Sequence, residues 1–138
     1  INFKIFLSNK ENLDIADKLL DGKLYKLINK NLINYYFTAG TIYSLVIFAK
    51  DYGYDLSNID LKEFLKTLIK DNHYKKNIAI KSFIYEYIET YLHKIDTCLS
   101  LKSNNYYSYF IRKISDTKKF NLDEETLFME FKDRVLNG

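Results

Sequence analysis

Proline and tryptophan are absent from the chain, cysteine and methionine occur once each, and arginine occurs twice, at Arg112 and Arg134. A lone thiol, Cys98, cannot form an internal disulfide framework or supply a cysteine-rich zinc module, and it leaves the compartment open. With no proline, and glycine only at 22, 40, 53 and 138, little interrupts a helix, so long helices are permitted throughout. No Gly-x-Ser-x-Gly elbow, phosphate loop or dinucleotide fingerprint occurs, which removes the backbone equipment of common hydrolase and nucleotide-binding classes. Long apolar runs are missing as well. The stretch from Ile33 to Ala49 carries no charge over 17 residues but contains Asn34, Thr38, Thr41 and Ser44, and a bilayer-spanning helix needs about 20 mostly apolar residues. No transmembrane span is expected in this segment. Charge of one sign is also scarce: 21 basic residues against 18 acidic ones leave +3, too small a bias to name a partner.

What is there is the material of a core. The 138 residues are 47% hydrophobic, 28% charged and 17% aromatic, which fits a single globular domain and excludes disorder. Heavy use of Lys, Asn, Ile and Tyr matches an AT-rich genome, which weakens lysine number as a sign of function. The chain opens on Ile1 instead of methionine and is expected to be a fragment of a longer protein.

Ser8-Asn9-Lys10-Glu11 has the capping-box pattern, so a first helix should follow and end near Asp21-Gly22. Leu24, Leu27 and Ile28 extend helical spacing into a short second segment. Ile33 to Ala49 reads as a central helix surrounded by others, with Gly40 beside Ala39 marking the close approach of a neighbour. A turn through Gly53 to Asn58 precedes a helix whose stripe is Leu61, Phe64, Leu65, Leu68 and Ile69, broken by Asp71-Asn72-His73.

The clearest signal runs from Ile80 to Leu99, where positions 80, 83, 84, 87, 88, 91, 92, 95, 98 and 99 make one apolar side. After a loop around Lys102 to Asn105, Tyr107, Phe110, Ile111 and Ile114 form another stripe. Asn121 to Glu124 then cap a last helix carrying Leu127, Phe128, Met129, Phe131 and Val135. The expectation is an all-α fold, a compact bundle or helical-hairpin array of about six helices. Alternation of Ile1, Phe3, Ile5 and Leu7 leaves an α+β arrangement with a short N-terminal strand as the alternative.

Candidate chemistry is sparse. Glu86, Glu89, His93 and Asp96 share a ridge of the long helix, but di-metal bundles pair Glu-x-x-His on two helices and no second such helix exists, so a solvated polar face is expected, with no metal and no cofactor. His73 falls at a helix boundary and is expected at the surface or in a cap. Cys98 lies in the apolar stripe as a structural thiol. Lys62, Lys66 and Lys70 line a ridge, with Lys75, Lys76, Lys81, Lys118 and Lys119 as further basic spots, which gives the alternative of a nucleic-acid-binding accessory module.

Aromatic placement points elsewhere. Tyr106, Tyr109 and Lys113 recur at i, i+3, i+7 on the side away from the apolar stripe, and Tyr85 stands outside its own stripe. Tyrosines set against the pattern bury large area at low entropy cost and keep a polar tip, so these four residues are the candidate partner-binding set, the alternative being that a third layer of helices in the same domain covers the tyrosines. Tyr36-x2-Ala39-Gly40-x2-Tyr43 resembles the first-helix pattern of tetratricopeptide repeats, and the overall texture is similar to helical interaction domains of spirochaetes. The resemblance implies a scaffold that binds other proteins and catalyses nothing. The expected function is a non-catalytic domain that binds or stabilises a protein partner.

Overall fold

Hydrogen-bonding side chains and left-handed residues decide where these helices start and stop. The structure is a computed structural model and describes residues 6–35, 37–98 and 102–137. The regular elements among the described residues are all helical, so the fold is all-α; six helices have eight residues or more and two are single turns. The alternating residues Ile1, Phe3 and Ile5 lie outside the described residues. The chain divides into two compact units, Ile1–Asp60 and Leu61–Gly138.

In the first unit, α1 (Asn9–Leu19) starts at the expected capping box. The Ser8 hydroxyl accepts from Glu11 N–H, and the Glu11 carboxylate accepts from Ser8 N–H at 2.7 Å. Asp21 and Gly22 end it, both with positive φ. The single turn α2 (Leu24–Leu27) follows, held to α1 by Leu24 N–H donating to Asp17 Oδ1 at 3.1 Å. A 3-10 turn at Lys30–Leu32 then leads to α3 (Ala39–Tyr52).

Here the expectation is corrected. The helix begins at Ala39, not near Ile33, because Thr38 accepts from Thr41 N–H and caps it. Nor is it surrounded: Ile42, Leu45, Val46, Phe48 and Ala49 are buried, while Gly40, Tyr43 and Ser44 face solvent. Among the described residues, a methyl group at Gly40 would meet only Thr38 Oγ1, at 3.9 Å, so the expected close approach is not found within this unit. Tyr36 lies outside the described residues; Ala39 and Gly40 form the first turn of α3. The helix ends at Gly53, with φ of 74°, and Tyr54 N–H closes back on Ala49 C=O at 2.8 Å. Asn12 joins the ends, its Oδ1 accepting from Ala39 N–H at 3.2 Å, and α1 packs on α3.

The second unit is built around a long helix. The elements are α4 (Leu61–Lys70), α5 (His73–Lys76), α6 (Ile78–Cys98), α7 (Lys102–Phe120) and α8 (Glu124–Phe131), ending in a π-turn at Lys132–Leu136. α6 packs against α4, α5 and α7, and α8 lies on α7. All five apolar residues of the α4 stripe are buried. On α6, Ile80, Phe83, Ile84, Tyr87, Ile88 and Leu92 are buried as the period requires. Rings interlock between helices: Phe64 on Tyr87 at 5.8 Å, Tyr74 on Phe128 at 5.0 Å and Phe110 on Phe131 at 5.1 Å, each edge to face.

Two local expectations fail here. The backbone is helical from Lys102, where a loop was expected, so α7 gains a turn at its start. His73 is buried, not at the surface, just after the left-handed Asn72, whose φ is 56°; burial lowers the imidazole pKa, against the opposing pull of Asp71. Glycine scarcity did not keep helices continuous, since Asp21, Asn72 and Asn121 supply the left-handed turns. Among the described residues, no helix is long and apolar enough to cross a membrane.

Candidate protein-interaction surface

Three of the four tyrosine and lysine candidates come together. Phe110 and Ile114 turn the apolar side of α7 inward, which leaves Tyr106 and Tyr109 on the outer side, 36% and 42% exposed. The Asp123 side chain accepts from Glu125 N–H and starts α8, whose buried Leu127, Phe128 and Phe131 set Glu130 beside α7. Tyr109 O–H donates to Glu130 Oε1 at 2.7 Å, Lys113 Nζ pairs with Glu130 Oε2, and Arg134 Nη1 donates to Oε1 at 2.8 Å. The Arg134 guanidinium lies over both rings, 5.6 Å from the centre of Tyr106 and 5.0 Å from that of Tyr109. Lys113 Nζ also lies over the Tyr109 ring, 5.6 Å from its centre.

Glu130 is the hub. Burial alone would raise its pKa, but hydrogen bonds from Lys113, Tyr109 and Arg134 outweigh that and hold it at about 2. The same contacts raise Lys113 and Arg134. The carboxylate therefore stays charged and fixes two cations and a phenol in one place. Chemically this is a rigid face with two rings, hydroxyl tips and a guanidinium, suited to binding by contact.

Tyr85 does not belong to it. The expectation that it stands free of the core is corrected: it is 6% exposed, edge to face with Phe128 at 5.0 Å and capped by Lys118, whose Nζ is 4.6 Å from the ring centre. Burial, with Glu124 adding to it, pushes its phenol pKa well up. α8 covers the side of α6 that the periodicity leaves open, which one helix's pattern cannot show. Sequence reasoning also missed Glu130 and Arg134. Their i,i+4 spacing was visible as a helix pair, but the pairing of Glu130 with Tyr109, 21 residues earlier, was not.

The remaining candidates are dispersed. Lys75 and Lys81 are tied to Glu125 and Glu124, at 2.8 and 3.2 Å, and Lys119 lies over Phe120. Lys62, Lys66 and Lys70 share α4, with Lys62 and Lys66 half-buried. His93 Nε2 is 3.4 Å from the Tyr107 hydroxyl. The side chains of Asp96 and Cys98 lie outside the described residues. No three His, Cys, Asp or Glu side chains gather into a metal-sized group among the described residues. Compared with protein-family models, curated proteins and solved structures, the chain matches none. The reading of this face therefore rests on its own geometry.

Proposed function

We propose that this chain is a non-catalytic protein-protein interaction domain that binds or stabilises a protein partner through the face made by Tyr106, Tyr109, Lys113 and Arg134. The observation that carries the reading is the pair of exposed tyrosine rings held in place by Glu130 and Arg134. A ring in water costs free energy that contact recovers, and a ring already fixed loses little entropy when it is covered. Tyrosine and arginine are also the residues that most often dominate binding energy at the centre of interfaces. The non-catalytic half rests on the sequence, which carries none of the nucleophile, phosphate-loop or dinucleotide motifs.

Changing Tyr106 and Tyr109 together to Ser tests it, by affinity capture from the cell that makes the protein, read by mass spectrometry. The proteins captured by the parent chain should be lost, with association weakened by about 2 kcal/mol or more and helix content unchanged. Normal capture by the double variant would place the working surface elsewhere, with the α4 lysines next to examine.

A further inference from the structure

We infer that Arg134 is the anion-binding group of this face and takes a carboxylate side chain of the protein partner, an inference that rests on reading the face as a partner surface. The Arg134 side chain is 48% exposed and its guanidinium only partly used: Nη1 is bonded to Glu130, and its other N–H groups have no partner among the described residues. Its planar fork matches a carboxylate with two parallel hydrogen bonds, which a lysine ammonium cannot reproduce. Tyr106 and Tyr109 lie against it and Glu130 anchors one end, so the fork is oriented before any ligand arrives.

Charge chooses between acids. Lys113 and Arg134 against Glu130 leave the contact cluster with one positive charge. A single carboxylate neutralises it, whereas a phosphate dianion overfills it and presses against Glu130. The ring area left exposed beside the guanidinium then takes the methylene stem of an acidic side chain. A segment presenting one acidic side chain is the chemistry that fits.

The test uses the whole chain, labelled with nitrogen-15, and NMR titration of the Arg134 side-chain N–H signals. The probe is an acetylated, amidated octapeptide with one central glutamate in a background of serine and alanine, with a glutamine-for-glutamate version and inorganic phosphate as the other arms. Saturable shifts at Arg134 are expected with the glutamate peptide, the glutamine peptide binding at least about tenfold more weakly. R134K, which keeps the charge and loses the fork, should weaken the glutamate peptide about tenfold while the backbone spectrum is otherwise retained. Equal binding of the two peptides, no effect of R134K, or tighter binding of phosphate than of the glutamate peptide would each overturn the assignment. If the glutamate peptide fails while the double tyrosine variant still loses the captured protein, the carboxylate assignment falls and the partner surface stands. If that variant loses nothing, both fall.

Discussion

The two units are held by different means. In the first, most control of the helix ends is local: the Ser8 capping box, the Asn29 and Thr38 caps, and the left-handed residues Asp21, Gly22 and Gly53 each act on backbone within a few residues, while the bonds of Asn12 with Ala39 and of Asn29 with Leu56 reach further. In the second, the joints run between distant helices: Tyr85 on Phe128, Phe110 on Phe131, Lys75 with Glu125, Lys113 with Glu130. A unit stapled by its backbone should be sensitive to φ, and one locked by side chains to volume. Among the described residues, only the second places a charge network under exposed rings, and the candidate surface is there.

The sharpest way to break this comparison is to remove volume from the second unit. Phe128→Ala, which takes a ring from between Tyr74 and Tyr85, should cost about 3–5 kcal/mol, and Ile88→Ala or Leu92→Ala about 2–5 kcal/mol, by urea denaturation. Lys94→Ala, on the exposed side of α6, should stay within about 0.5 kcal/mol. Equal costs at Ile88 and Lys94 would mean that the apolar side is not the buried one.

Backbone substitutions sharpen the other half. Gly53→Ala meets no atom within 4 Å, so its expected cost of about 1–2 kcal/mol is the left-handed backbone alone. Gly40→Ala should do the opposite, stabilising by about 0.4–1 kcal/mol, because that glycine is exposed in a helix with ordinary φ. A loss at Gly40 would restore the close helix approach that its place in the sequence suggests.

Legibility follows the same division. Caps, turns and apolar stripes act over three to five residues, so Ser8, Gly53 and the Leu61–Ile69 stripe could be read directly. The Thr38 cap was equally local but hidden inside an uncharged run, which drew the helix start too early. Burial of Tyr85 depends on Phe128 and Lys118, far along the chain, and a single helix's period carries no information about them. At the candidate surface, the spacing of Tyr106, Tyr109 and Lys113 revealed a shared face. Glu130 and Arg134, which make that face rigid, come from another element.

The smallest expected effect is electrostatic. Glu130 is held at about 2 in the folded chain against its ordinary 4.5, so its stabilisation is complete above about pH 4.5 and is lost as pH falls from there towards 2. Glu130→Gln should flatten that part of the acid-denaturation curve and leave the region above pH 5 parallel to the parent. An unchanged acid limb would mean that the network contributes nothing to folding.

The central claim, that the second unit carries the partner surface, is tested most directly by comparing two tyrosines of similar exposure, Tyr106 at 36% and Tyr43 at 39%. A photo-reactive phenylalanine analogue in place of each, irradiated in the cell that makes the protein, reports what lies against each position. The account predicts a discrete protein adduct from position 106 and none from position 43. An adduct from position 43 alone would contradict it and move the working surface to the first unit.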